Sequence, residues 1–122
     1  MPHIKIGETG IVVDIIEEQG EGLHIGIRAD IDALPLEEKT GLSFASQNKG
    51  VMHASGHDGH TSILLGTVYQ LYQYKSRLKG TVRCIFQPDE EADGAAQKMI
   101  EEGVLENPRM DCMLALHCRW HM

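Results

Sequence analysis

At 122 residues, 42% of them hydrophobic, the chain is sized for a single domain with a usable core, and its composition argues against disorder or a collagen-like class. A net charge of −7 from 11 basic and 18 acidic residues leaves no basic stripe for nucleic acid and is compatible with a site that holds cations. No signal-peptide pattern opens the chain and no run is long enough to cross a membrane. Cys84, Cys112 and Cys118 show no paired spacing, so reduced thiols in a cytoplasmic protein are the expectation.

Ile11 to Ile16 is rich in β-branched residues and predicts a strand. Leu23 to Arg28 predicts a second, and the short break between them suggests a hairpin, with His24 an exposed strand residue. Asp30 and Asp32 follow at the end of an apolar strand, a common site position in α/β folds, although for Asp30 a polar turn before Pro35 is the favoured reading. Thr61 to about Leu78 has helical periodicity, with Leu64, Val68 and Leu71 on one stripe and Asp58 or Thr61 as N-cap. Thr81 to Phe86 predicts a third strand. Ala95 to Glu102 predicts a helix with Met99 and Ile100 facing inward and Gly103 as its stop, and Asp111 to Leu116 a fourth strand. Strands alternating with helices imply an α/β fold, a mixed or mainly parallel sheet flanked by helices.

The densest chemistry lies in Met52-His53-Ala54-Ser55-Gly56-His57-Asp58-Gly59-His60. It holds three of the chain's seven histidines and reads as a loop delivering imidazoles and a carboxylate to a helix N-terminus. Imidazole is the commonest protein metal ligand, and a nearby carboxylate is the usual partner that fixes its tautomer. Histidines that merely cap a helix are the alternative. Glu90-Glu91 follows one apolar strand and His117 another. Adjacent carboxylates after a strand divide naturally into one that binds a cation and one that stays free to take a proton from water. An acidic turn and a lone histidine explain these features singly. Jointly, three chain segments converging on one sheet edge favour a metal site.

These runs, with Gly7-Glu8-Thr9-Gly10, Arg28 to Pro35, Phe86 to Glu91 and Lys98 to Val104, resemble the di-metal amidohydrolases. That group includes hippurate hydrolase, N-acyl-amino-acid deacylases and auxin-conjugate hydrolases, within the aminoacylase and carboxypeptidase metallopeptidases. The resemblance implies that His57, Glu91 and His117 hold metal, that Glu90 is the general base, and that Asp58 orients a ligand. It implies two divalent ions, zinc or manganese, and a small N-acyl amino acid or peptide substrate, with no nucleic-acid or membrane partner. Ser55 stands where the family has a cysteine ligand, and a hydroxyl is at best a weak neutral donor there. Family members are longer, with a lid or dimerisation domain and a returning histidine that His121 does not match. Residues 1–122 are therefore expected to be one truncated catalytic domain, poorly active by itself and open to self-association. The competing expectation is a non-catalytic α/β remnant that binds metal weakly or acts through association.

Overall fold

The computed structural model describes residues 2–16, 21–92 and 94–118. Five strands, β1 (Ile4–Ile6), β2 (Gly10–Ile16), β3 (His24–Asp30), β4 (Thr81–Gln87) and β5 (Cys112–Ala115), form one sheet in the order β1-β2-β4-β3-β5. Strands β3, β4 and β5 run parallel, and β2 is antiparallel to both β1 and β4, so the sheet is mixed. Helices α1 (His57–Gln73) and α2 (Ala95–Glu101) cover opposite faces.

The two faces follow from the period-2 alternation of strand side chains. Val13, Ile15, Cys84 and Phe86 point to α1 and bury Leu64 and Val68, whereas Val12 and Ile85 point the other way and bury Met99 of α2 with Ile6 and Val104. Asp14 and Arg83 are directly paired in the β2–β4 register. The Arg83 guanidinium, 4% exposed as a residue, bonds both Asp14 carboxylate oxygens at 2.7 Å. It also donates to the carbonyls of Val104, Glu106 and Asn107, pinning the segment after α2 to the sheet. The β1–β2 turn uses left-handed backbone at Gly7 and Glu8. A Cβ on Gly7 would lie 2.6 Å from Met99 Cγ, so glycine is required for α2 to approach.

Three expectations change. The strands at 10–16 and 24–30 do not form a hairpin, because β4 inserts between them and pairs with both. Apolar strands that are half-buried on both sides carry no signal of which neighbour they take. Helix α1 begins at His57, four residues before Thr61, on an N-cap that is neither Asp58 nor Thr61. It is Gly56 at φ 92°, left-handed backbone that glycine adopts without strain. Ile100 does not face inward. It is 53% exposed while Met99 is 1% exposed, as neighbours on a short helix point about 100° apart.

This connectivity positions the site. The chain leaves β3 through α1 to reach β4 on one side, then returns through α2 to reach β5 on the other. Connections diverge at β3, and such a switch point opens a crevice at the carboxyl ends of the strands. The ends of β3, β4 and β5 and the first turn of α1 meet there. The Thr61 hydroxyl reaches the Asp30 carbonyl at 3.3 Å.

Candidate metal centre

His57 is the centre of the cluster and is fully buried. Its Nδ1 lies 3.1 Å from both the carbonyl oxygen and Oδ1 of Asp32. Both are acceptors, so Nδ1 carries the proton and Nε2 presents its lone pair. That Nε2 has no hydrogen-bond partner although it is buried. An orphaned buried polar atom is costly, and a cation is one partner that would satisfy it. Around it stand Asp30 Oδ1 at 3.7 Å, Glu91 Oε1 at 3.9 Å and Glu90 Oε2 at 4.0 Å. These distances are too long for hydrogen bonds and suit donors arranged about an ion.

Two overlapping groups of donors have ligand atoms within 4.8 Å of one another: Asp30, His57, His60 and His117, and His57, Glu90 and Glu91. The four residues expected at the site, His57, Glu90, Glu91 and His117, thus meet at one sheet edge. The His57 and His117 rings are 5.9 Å apart, edge to face. Glu90, Glu91 and His117 are exposed, which leaves the site open to solvent on their side. Ser55 is half-buried in the turn just before Gly56.

Asp58 is exposed in the first turn of α1, and the carboxylate that orients His57 belongs to Asp32. The reason is helical phase. With His57 turned inward, the next residue projects about 100° away, toward solvent. Asp32 also accepts the Glu91 N–H on Oδ2 at 3.0 Å, so one side chain links the imidazole to the acidic turn. Burial pushes the Asp32 carboxyl up, but the backbone N–H groups of Glu91 and Glu90 and the neighbouring His57 outweigh it and hold the pKa below its ordinary value.

Sequence reasoning did not assign His60 a role and left Asp30 as turn or site residue. Asp30 is 1% exposed. Its Oδ1 accepts from His60 Nδ1 at 2.5 Å and its Oδ2 from Arg28 at 3.0 Å, while Arg28 also donates to Gln87. Burial again raises this carboxyl, and the His60 hydrogen bond with the neighbouring His57 and Arg28 lowers it further than burial raises it. The second nitrogen of His60, Nε2, accepts the Cys118 N–H at 2.9 Å. The available signal for His60 was its spacing of three from His57, which places both on one helix face once the helix includes them.

Parallel strand ends, a helix start and a set of imidazole and carboxylate donors around an unsatisfied buried nitrogen define an α/β domain with donors that could hold a metal ion. The chain belongs to peptidase family M20/M25/M40, whose model matches residues 26–121. It is 52% identical over 110 residues to the N-acetyl-L-cysteine deacetylase of Bacillus subtilis, covering 90% of this chain and 26% of that protein. It is 44% identical over 114 residues to the hippurate hydrolase of Campylobacter jejuni, covering 93% of this chain and 29% of that one. A crystal structure from Bacillus subtilis, described as a dinuclear metal-binding peptidase from the M20 family, superposes with a TM-score of 0.86. Its sequence is 44% identical, and the match covers 96% of this chain and 32% of the other. The chain spans about a quarter to a third of the length of the relatives it matches. Among the described residues, no helix is long and apolar enough to cross a membrane.

Proposed function

We propose that this chain carries the ion-holding and proton-moving part of a metal-dependent amidohydrolase that cleaves N-acyl amino acids. The observation that carries the reading is the buried, unpartnered Nε2 of His57, with the Glu90 and Glu91 carboxylates 4.0 and 3.9 Å away. His57, Glu91 and His117 are the proposed ligands of a two-ion centre, taking zinc or manganese, with Ser55 at most a weak oxygen donor. Bound divalent ions would supply Lewis acidity toward the scissile carbonyl and toward water.

The chain's own residues do the rest. Asp32 holds the His57 proton on Nδ1 and so keeps Nε2 free as a donor. The same Asp32 fixes the Glu91 backbone, which sets the direction of the acidic turn. Glu90 stays outside the ligand set and exposed, where it takes a proton from the attacking water and passes it to the leaving amine. The substrate class rests on the relatives, named for N-acetyl-L-cysteine deacetylation and hippurate hydrolysis.

The test is hydrolysis of N-acetyl-L-cysteine and hippurate with Zn²⁺ or Mn²⁺ present. Glu90→Gln should lower turnover about 10²- to 10⁴-fold while ion stoichiometry, measured by calorimetry, stays the same. Turnover unchanged in Glu90→Gln, or no calorimetric binding of Zn²⁺ or Mn²⁺ by the protein, overturns the reading.

A further inference from the structure

We propose that the cavity between the β1–β2 turn, residues 31–35 and the start of α2 is the acyl pocket, and that it selects N-acyl amino acids whose acyl group is aromatic or branched and larger than acetyl. The inference rests on the reading above that the neighbouring cluster handles the scissile amide, and it names the half of the substrate that this chain discriminates.

The cavity measures about 940 Å³, at the upper end of the roughly 300 to 1,000 Å³ usual for small-molecule sites. It opens beside the candidate metal centre, because Asp32 and Glu91 line it. Glu90 does not. The leaving amine takes its proton from Glu90, so the amino-acid half of the substrate lies on the Glu90 side. The other substituent of the carbonyl, the acyl group, then points past Glu91 and into the cavity. Charge supports the same orientation. Among the described residues lining the cavity, Lys98 is the one cation, and it is ion-paired with Glu8. Asp89 and Glu101 add further negative charge, so the free carboxylate of the amino-acid half is repelled there.

The floor is apolar, made by Ile31, Leu34, Pro35, Pro88 and Ala95. An acetyl methyl covers little of that surface, whereas a phenyl ring or a branched chain covers much of it and displaces the water there. The walls are braced before any substrate arrives. Leu34 and Met52 exchange backbone hydrogen bonds at 2.9 and 3.0 Å. The Asp89 carbonyl accepts the N–H groups of Gly94 and Ala95, which closes the acidic turn onto α2. Glu102 Oε2 accepts the Gly7 N–H at 2.7 Å, which holds the β1–β2 turn against the same segment. A preformed cavity loses little ordering entropy when it fills.

The product acid keeps the acyl group, so the test titrates Zn²⁺-loaded protein with benzoate and with acetate, by calorimetry and by NMR of amide and methyl resonances. Benzoate should bind at least about tenfold more tightly than acetate. It should shift Leu34 and Ala95 and leave in place Leu65 and Tyr69, which line the apolar groove beside α1. Ala95→Leu should remove the preference for benzoate without changing acetate binding or zinc affinity. Benzoate binding no tighter than acetate, benzoate shifting Leu65 and Tyr69 instead, or a preference intact in Ala95→Leu overturns the proposal and leaves the metal centre standing. Should Ala95→Leu not fold by circular dichroism, the wild-type titration and its resonances decide alone. A wild-type protein that binds no Zn²⁺ overturns both this proposal and the reading it rests on.

Discussion

Replacing Asp32 tests how the centre is built, because its side chain has two partners with separable effects. Oδ1 accepts from His57 Nδ1 at 3.1 Å and Oδ2 accepts the Glu91 N–H at 3.0 Å, while the residue's own carbonyl lies a further 3.1 Å from Nδ1. That carbonyl survives any substitution, so the His57 tautomer never loses all support. Removing an outer partner of a metal-binding histidine costs about 10- to 100-fold in metal affinity, or about 1.4 to 2.7 kcal/mol. Asp32→Asn keeps one oxygen acceptor, for His57 Nδ1, turns an NH2 that cannot accept toward the Glu91 N–H, and removes the charge, and a neutral hydrogen bond is about half as strong as a charge-assisted one. It should fall near the tenfold end. Asp32→Ala removes both acceptors and the side chain that steadies the turn carrying Glu90 and Glu91, so it should fall near 100-fold. Calorimetric titration with Zn²⁺ at one pH measures both, with circular dichroism confirming that the ion-free variants fold. Asp32→Ala binding Zn²⁺ within about twofold of wild type, or Asn losing more than Ala, would refute the reasoning.

Other expectations concern the frame that carries the site. Arg83→Met leaves the Asp14 carboxylate without its bidentate partner and three carbonyls without their donor. Breaking such a pair costs about 3 to 5 kcal/mol. The partial exposure of Asp14 puts this case near 3, and a urea-unfolding loss below about 1 kcal/mol would show that the network is not stabilising. Met99→Ala should cost about 2 to 5 kcal/mol, because that side chain, 1% exposed, fills the space between α2 and the β1–β2 turn. The Cys84 thiol, buried and near Asp14, is pushed up to about 12. Iodoacetamide at pH 8 should label Cys112 and Cys118 and spare Cys84 until the protein unfolds. Because this pKa is raised on folding, the stability it contributes is complete below the thiol's ordinary range and drains away as pH climbs toward 12. Cys84→Ala should therefore flatten the alkaline limb of stability measured between pH 9 and 11, and an unchanged limb counts against the assignment.

The strands were legible because their residues are the kind that fit a pleated, buried surface, and those at 10–16, 81–87 and 112–115 fall close to where β-branched and apolar runs end. Their order was not legible. Pairing of β4 with both β2 and β3 is decided by tertiary packing, and nothing in a run such as Thr81 to Phe86 names its neighbours. β1 is too short, at three residues, for periodicity to speak, and it exists because the left-handed turn at Gly7 and Glu8 folds it back on β2. Ile100 shows the limit on the other side. In a seven-residue helix two adjacent apolar residues cannot both face the core, and sequence alone does not say which one will.

The site follows the same division, and one boundary decides most of it. With a helix starting at Thr61, His57, Asp58 and His60 are loop residues whose directions are unconstrained, and the nearest carboxylate in sequence is the natural partner for an imidazole. With the helix starting at His57, residues 57 and 60 share the inward face and residue 58 is carried out to solvent. The orienting carboxylate must then come from another element that ends at the same place. The end of β3 provides Asp30 and Asp32 together, one for each buried imidazole: Asp32 against His57 and Asp30 against His60. The aspartates stood out in the sequence as a pair at the end of an apolar strand, but their division of labour depends on which imidazole each one meets. Gly56 sets that phase, because its left-handed φ lets the chain enter the helix at His57 rather than a turn later. The arrangement of the centre thus traces to a backbone angle at a residue with no side chain, while the chemistry it arranges is written in the histidines and acids themselves.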